Sequence, residues 1–278
     1  MNATAPCLLL AAALAAASAA APAPAAARLT VSAGVEHTTG RYGKPTSTQE
    51  TKVPLRADWR RDRWRLRADL PIVTRVEGVA SALDREEEED DDAAAGSPAP
   101  AAASRRQSGP GDVTLGLWHT LREQNEAPFG IEVGARLKTP VAGGDQCLLT
   151  NGATDLSLEA TAERLVGRIA LDATLGWIRR GDPLRRDSDC RPTGGRVDLR
   201  NPFYASIGAA LPLSPRVSAE LEFETRQRLR PTAAPKREAK LGLELRVSDA
   251  LRVQAYGLVG FSDASPDRGV GVRAAWRF

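Results

Sequence analysis

The chain has 278 residues, with 38 lysines and arginines against 35 aspartates and glutamates, so its net charge at pH 7 is only +3. This balance gives no indication of a nucleic-acid partner, and beyond the N-terminal segment no window of 18 apolar residues exists, which excludes a membrane-spanning helix there. The mean hydropathy of −0.31 is modest, but it does not exclude a membrane β-barrel. In such a barrel, apolar outward residues alternate with polar residues that face the lumen, so the average is low.

The N-terminal segment is composed almost entirely of alanine, leucine and proline, with an apolar core from Cys7 to about Ala17. This composition predicts a secretory signal peptide over residues 1–27, although the usual basic n-region is missing. A membrane helix is the alternative interpretation, and the shortness of the apolar core disfavours it. After removal of the segment, about 250 residues remain, which is enough for one large β domain.

Period-two alternation of apolar and polar residues defines about twelve segments of roughly 10 to 13 residues. Residues 127–138 are typical, with Ile131, Val133 and Leu137 on one face and Glu132 and Arg136 on the other. A tilted membrane strand needs about 9–11 residues, so the lengths fit. The predicted strands are 28–39, 48–59, 63–74, 111–122, 127–138, 153–163, 166–178, 198–211, 215–226, 237–247, 250–261 and 268–278.

Connection lengths and aromatic positions both favour a membrane barrel. Short connections alternate with long ones, as expected of periplasmic turns and outer loops, and an even strand number puts both termini in the periplasm. Outward aromatic residues at strand ends would form the two aromatic girdles, whereas a secreted soluble β-sandwich, the alternative, would bury large aromatics in mid-strand. These residues are Trp59, Trp64, Phe129, Trp276 and Phe278 at the periplasmic end, and Trp177, Phe203, Phe223 and Phe261 at the outer end.

The sequence therefore predicts an all-β fold, a transmembrane antiparallel up-and-down β-barrel of about 12 strands in a bacterial outer membrane. The last predicted strand ends with Phe278 on its apolar face. Such a terminal aromatic resembles the recognition signal of outer-membrane barrels, which predicts the barrel-assembly machinery as a partner. Outer-membrane lipid and lipopolysaccharide would surround the barrel.

An acidic run, residues 86–92, lies inside the long predicted connection 75–110, which is otherwise rich in alanine, proline and serine. Such a composition cannot bury enough apolar surface to order itself, so we predict a disordered outer loop. Capture of divalent cations near lipopolysaccharide phosphates is the alternative role. An EF-hand is excluded because the run lacks the alternating ligand spacing and the central glycine.

Two cysteines remain beyond the N-terminal segment, and both fall in predicted outer loops. Cys147 lies between the fifth and sixth strands and Cys190 between the seventh and eighth. Paired cysteines in a secreted chain predict a disulfide that ties the two loops together. Because no histidine is near them, zinc binding is disfavoured, and we predict no metal site and no cofactor.

The face predicted to line the lumen carries charges of both signs. The proposed solute path consists of Arg136, an acidic row (Glu220, Glu222 and Glu224) and the residues that face this row on the next strand, Lys240, Glu244 and Arg246. Cross-strand pairs can join the two rows. These charges either neutralise each other structurally or form a narrow, selective polar path. Twelve strands enclose less space than the 16–18 strands of open porins.

Three aromatic residues, Trp118, Tyr204 and Tyr256, are also predicted to point inward. They either fill lumen volume or stack on an aromatic or apolar solute. Inward glycines, among them Gly116 and Gly134, would permit curvature and leave room beside them.

Enzymatic chemistry is not indicated. A phospholipase barrel needs a serine nucleophile and a histidine base, placed two residues apart on one strand in that family. The two histidines are followed by other residues, His37 by Thr38 and Thr39, and His119 by Thr120 and Leu121. No zinc-protease helix, phosphate loop or dinucleotide fingerprint is present. We therefore predict that the chain is not an enzyme.

Several segments resemble a proteobacterial family of outer-membrane transporter-like proteins described as "MetA-pathway of phenol degradation". They are Gly111–Leu117, Gly130–Pro140, Thr154–Leu158, Gly181–Pro183 and Phe261–Val270. The resemblance covers roughly residues 111–278. It implies a closed barrel and a role in the uptake of aromatic or apolar small molecules, and it supplies no catalytic residues.

Two functions are compatible with these features. The first is passive passage of a small solute through a narrow charged lumen, with access limited by the outer loops that Cys147 and Cys190 would join. The second is a non-transporting structural or surface-interaction barrel, with the loop 75–110 as its working part.

Overall fold

The computed structural model describes residues 27–79, 104–124, 128–141, 146–187 and 189–278. The predicted signal peptide and the acidic run 86–92 lie outside these residues. In the described part, no helix is long and apolar enough to cross a membrane. The strands are β1 (Arg28–Gly40), β2 (Ser47–Arg61), β3 (Trp64–Val79), β4 (Arg105–Pro110), β5 (Val113–Arg122), β6 (Gly130–Thr139), β7 (Asp155–Val166), β8 (Ile169–Arg179), β9 (Leu184–Arg186), β10 (Pro192–Arg196), β11 (Phe203–Pro212), β12 (Val217–Arg226), β13 (Lys236–Arg246), β14 (Leu251–Gly260) and β15 (Arg268–Arg277).

One antiparallel sheet closes on itself to form the barrel. Its order is β2-β1-β15-β14-β13-β12-β11-β8-β7-β6-β5-β3-β4, and the additional pairing of β2 with β3 completes the ring. β4 and β5 pair with successive parts of β3 and act as one interrupted strand, so the wall has twelve strands. Closure removes the unpaired edges of the sheet. The predicted twelve-stranded antiparallel barrel is confirmed.

Alternation along each strand places apolar side chains on the outer surface. Leu115 and Leu117 are 50% and 44% exposed, whereas Trp118, one residue further, is 2% exposed. The same holds around the ring, and a water-soluble monomer rarely exposes so large an apolar surface. This exterior matches the apolar band of a membrane barrel. Exposed members on other strands include Val35, Leu70, Leu175, Ile207, Leu241 and Val270.

The two ends of the barrel differ in their connections. At the turn end, which also carries residues 27 and 278, β2 and β3 are joined by Asp62 and Arg63, and β7 and β8 by Gly167 and Arg168. Gly167 has a φ of +60°, which glycine adopts without steric cost. The opposite, loop end carries the long connections. Exposed aromatics lie near both ends, as predicted: Trp64, Phe129, Trp276 and Phe278 at the turn end, and Phe203, Phe223 and Phe261 at the loop end.

Several predicted strand boundaries were wrong, most clearly those on either side of the connection 75–110. β3 continues to Val79 and β4 begins at Arg105, so the connection is shorter than the predicted 75–110 at both ends. The extension forms because the β3–β4 ladder continues beyond the ring, with the Thr74 and Ser108 hydroxyls 2.7 Å apart.

The predicted strand 198–211 instead begins at Phe203, where the ladder with β8 starts. Its predicted first residues have other partners, since the Asn201 side chain accepts a hydrogen bond from the Arg180 amide at 2.8 Å. The preceding connection contains a separate hairpin, β9 and β10, which the sequence did not predict.

The predicted disulfide is present and joins two loop-end connections. Cys147 and Cys190 are bonded, with their Cα atoms 5.4 Å apart. Gln107 of β4 lies beside the bond, because its side chain donates to Cys190 Sγ at 3.4 Å and accepts from the Leu148 amide at 2.8 Å. The β3–β4 extension is therefore held against both disulfide-linked connections.

Reduction of this bond is expected to destabilise the barrel. A disulfide that spans a sequence separation of 43 residues restricts the unfolded chain, which is worth about 2–4 kcal/mol. We expect a lower denaturant midpoint for the wild type in reductant, and no reductant effect on a Cys147→Ser/Cys190→Ser variant. Peptide mapping of non-reduced protein should recover the two cysteines in one linked fragment. Equal midpoints with and without reductant would contradict a stabilising bond.

Candidate functional site in the barrel interior

Contacts between strands that are not neighbours in the sheet identify the barrel interior. Arg136 on β6 donates from Nη2 to the Tyr204 hydroxyl on β11 at 2.7 Å, although β7 and β8 lie between these strands. Tyr256 on β14 donates to Glu36 on β1 at 2.7 Å across β15. Such contacts are possible only on the concave side of the wall. Arg136, Tyr204 and Tyr256 therefore point into the barrel.

Four interior side chains, Trp118, Arg136, Glu159 and Tyr204, form what we call the central cluster. Trp118 Nε1 donates to Glu159 Oε1 at 2.6 Å, and the Tyr204 hydroxyl donates to the other carboxylate oxygen. Arg136 Nη2 lies 3.0 Å from the same Glu159 carboxylate. Because three donors converge on one carboxylate, its charge is compensated away from bulk water. The cluster thus joins β5, β6, β7 and β11 across the lumen.

Glycines on neighbouring strands make room for the aromatic rings of the cluster. A Cβ added at Gly116 would lie 2.2 Å from the Trp118 ring, and one at Gly134 would lie 2.0 Å from it. At Gly176 it would lie 2.2 Å from the Tyr204 ring. No side chain larger than hydrogen fits there unless the rings move. The inward glycines therefore do not leave open space, because the rings occupy it.

Two cavities lie on either side of the central cluster. The loop-end cavity measures about 230 Å³ and the turn-end cavity about 510 Å³. Arg136, Tyr204 and Glu224 line both, so the cluster lies at their boundary. This part of the lumen thus contains two polar cavities that meet at the central cluster.

The two cavities carry opposite balances of charge. The loop-end cavity is lined by four cationic side chains, Arg136, Lys138, Arg180 and Arg226, and by two carboxylates, Asp155 and Glu224. In the turn-end cavity six carboxylates outnumber four arginines. The carboxylates are Glu132, Glu159, Glu163, Asp172, Glu222 and Glu224, and the arginines are Arg65, Arg67, Arg136 and Arg164. Cationic side chains are thus in excess in the lining of the loop-end cavity and carboxylates in that of the turn-end cavity.

The predicted pairing of the acidic row with the facing strand is correct at one position. Glu222 lies opposite Lys240, with a carboxylate-to-ammonium distance of 3.7 Å. The register instead places Glu220 opposite Gly242 and Glu224 opposite Glu238.

The other members of the two predicted rows therefore have different partners. Glu220 is bonded by Gln254, and Glu224 pairs with Lys236 at 3.0 Å. Glu244 pairs with Arg252 at 3.1 Å, and Arg246 donates to the Pro215 carbonyl at 2.5 Å.

Sequence reasoning did not select three charged residues of the loop-end cavity: Asp155, Arg180 and Arg226. Asp155 is 3% exposed and lies 3.1 Å from Lys138 and 2.9 Å from Arg180. Arg180 follows β8 and Arg226 ends β12, so both were at strand ends, where alternation gives no direction. Only the barrel closure shows that these side chains share one cavity.

Near the loop end, Tyr42 lies in the β1–β2 connection. Burial, together with the neighbouring Glu50 carboxylate, raises the pKa of Tyr42 to about 12. The phenol is therefore neutral at physiological pH and adds no charge to the entrance.

The two histidines lie apart from each other, and the contacts described for each are with side chains other than serine. His37 Nδ1 is 3.0 Å from the Thr51 hydroxyl, and the His119 ring lies 4.3 Å from the Trp64 ring. In the described part of the chain, no group of three or more histidine, cysteine, aspartate or glutamate side chains is placed to hold a metal ion.

Comparison with solved structures supports the fold. The translocator domain of the autotransporter NalP from Neisseria meningitidis is similar, with a TM-score of 0.51 and 11% identity over 91% of this chain and 89% of that one. The KdgM porin (TM-score 0.49, 7% identity, 90% and 99% coverage) and the β domain of the Bordetella autotransporter BrkA (0.48, 11%, 91% and 99%) are also similar. At 11% identity the likeness to the NalP domain shows the closed β-barrel fold and nothing finer.

No protein-family model matches the chain, and no curated protein matches it in sequence. The resemblance to the "MetA-pathway of phenol degradation" family therefore rests on the sequence segments alone.

Proposed function

We propose that this protein is a narrow channel of the bacterial outer membrane, through which small polar solutes diffuse passively. The observation that carries the proposal is the pair of charged cavities that meet at the central cluster. Support for the location comes from the closed barrel, the exposed apolar exterior and the aromatic residues at both strand ends. A wall of twelve strands is too narrow for a general pore and keeps solutes within reach of charged side chains.

The charged walls favour polar solutes over the aromatic or apolar compounds that the family resemblance implies. Trp118 is buried beneath Arg65, whose guanidinium lies 4.3 Å from the ring centre, so this indole offers no free face to a solute. Tyr204 lines both cavities, and Tyr256 also points into the barrel, so these two rings are placed to touch a passing molecule. A solute with both an aromatic ring and a charged group would match the charged walls as well as the aromatic side chains.

Single-channel conductance of the full chain, refolded into a planar bilayer, tests the proposal. We expect discrete, reproducible current steps. The alternative function is a non-transporting surface-interaction barrel. A lumen that is closed by the central cluster would favour this alternative. Silence from protein that still shows heat-modifiable migration on a gel would support that alternative and contradict a channel.

Charge reversal at Glu222 is expected to shift ion selectivity towards anions. Glu222 lines the turn-end cavity, and its one ion pair among the described residues is the 3.7 Å contact with Lys240, so its charge is weakly compensated there. In a tenfold salt gradient the reversal potential of Glu222→Lys should move by on the order of 10 mV, within the limit of about 59 mV for perfect selectivity. The control is Asp249→Lys, the same charge change in the exposed β13–β14 turn. Identical reversal potentials for both variants and the wild type would contradict a conducting path past Glu222.

A further inference from the structure

Three arginines surround the loop-end cavity with unused hydrogen-bonding capacity. The Nε atoms of Arg136, Arg180 and Arg226 are buried, and none has a hydrogen-bond partner among the residues that the structure describes. All three side chains line the same cavity of about 230 Å³. A buried donor without a partner costs free energy, which an acceptor inside the cavity would recover.

The positive charge in this cavity is only partly compensated. Arg136 pairs with Glu159 at 3.0 Å, and Arg180 pairs with Asp155 at 2.9 Å. The Arg226 side chain forms no ion pair or hydrogen bond within the described ranges. Arg180 acts on it as a like charge, while Glu224, Glu238 and Asp155 act on it as opposite charges from beyond ion-pair distance. Two guanidinium groups that repel each other across one cavity are stabilised by an anion between them.

Asp155 fixes the arrangement without neutralising it. Its buried carboxylate lies 3.1 Å from the Lys138 ammonium as well as 2.9 Å from Arg180. Lys138 also pairs with Asp112 at 2.7 Å, so among the described residues Arg226 is the cation of this cavity that has no ion pair. Its other oxygen accepts from the Gly181 amide at 3.1 Å, which anchors the residue next to Arg180. Arg180 is thereby held in position at the start of the long β8–β11 connection.

We propose that the loop-end cavity binds a small anion that carries a carboxylate or phosphate group, with Arg226 as its main ligand and Arg136 and Arg180 beside it. Guanidinium forks match the paired oxygens of these groups, and charge-assisted hydrogen bonds are the strong ones. The inference rests on the proposed function, because the cavity then lies on the solute path and concentrates anionic solutes ahead of the central cluster. The cavity volume suits a compact anion of a few heavy atoms.

Binding of inorganic phosphate to the full chain in detergent micelles tests this site, with titration calorimetry as the readout. We expect saturable binding of one equivalent that weakens as chloride is added. Arg226→Gln should reduce the affinity at least about tenfold, the loss expected for one charged hydrogen-bond partner. Arg226→Lys keeps the positive charge but loses the forked guanidinium, so its phosphate affinity should lie between those of the wild type and Arg226→Gln. The control is Arg228→Gln, an exposed arginine two residues away that donates to the Pro231 carbonyl at 3.1 Å.

The possible outcomes distinguish the anion site from the channel function. Absence of phosphate binding to the wild type, or equal losses in Arg226→Gln and Arg228→Gln, would overturn the site. Heat-modifiable migration shows whether each variant is folded, and Arg226→Lys remains informative if Arg226→Gln is not. Phosphate binding by a barrel that is silent in bilayers would refute the channel and support the site. A conducting wild type that binds no phosphate would refute the site and leave the channel standing.

Discussion

Replacement of Gly134 by alanine is expected to destabilise the barrel severely. The added methyl would lie 2.0 Å from Trp118 Cδ1, closer than any carbon contact allows. The indole cannot shift easily, because Nε1 is held by Glu159 at 2.6 Å and the far edge of the ring lies over Gly116. Overpacking of this kind costs about 1–3 kcal/mol or more. Displacement of Trp118 would also remove one of the three donors that hold Glu159, and with it the centre of the cluster.

The matched control is Gly257→Ala, the same methyl added to a strand where the nearest atom is the Gly269 carbonyl oxygen at 3.9 Å. We expect a denaturant midpoint close to that of the wild type for this variant, and a clearly lower midpoint or failed refolding for Gly134→Ala. Heat-modifiable migration and tryptophan fluorescence report the two outcomes. Similar stability of both variants would mean that Trp118 does not lie over Gly134.

Strand positions and side-chain direction were predictable because period-two alternation is a local property. The alternation over residues 115–118 predicts that Leu115 and Leu117 point outward and Trp118 inward, and the structure places them so. The disulfide was predictable for a different reason, since only two cysteines lie in the predicted loops. The β9–β10 hairpin was not, because it lies outside the ring and its residues show no alternation.

The site was less predictable because strand register depends on distant parts of the chain. Glu220 and Glu222 look equivalent in sequence, but only Glu222 faces a lysine across the sheet. The link between Arg136 and Tyr204 crosses 68 residues of sequence and two strands of wall, so no local pattern encodes it. Curvature of the closed sheet brings these side chains together.

Removal of the Tyr204 ring is expected to widen the junction between the two cavities. Tyr204 lies at the boundary of both cavities, and Tyr204→Ala would merge them. The fold should survive, because Glu159 keeps its contacts with Trp118 and Arg136, and the ring packs only on Gly176 and the Arg136 guanidinium among the described residues, without taking part in the backbone ladder. Since conductance follows the narrowest section, we expect single-channel conductance to rise by about a factor of two or more.

Two control variants separate widening from other effects. Tyr204→Phe keeps the ring and removes only the hydroxyl, so its conductance should stay near the wild-type value. Phe203→Ala removes an exposed outward ring one residue away and should leave conductance unchanged. If Tyr204→Ala conducts like the wild type, the narrow point lies elsewhere in the lumen. If the wild type is silent and Tyr204→Ala conducts, the central cluster closes the lumen of the wild type. Deletion of one ring can remove an obstruction but cannot build a new channel wall, so the rest of the path must already be open.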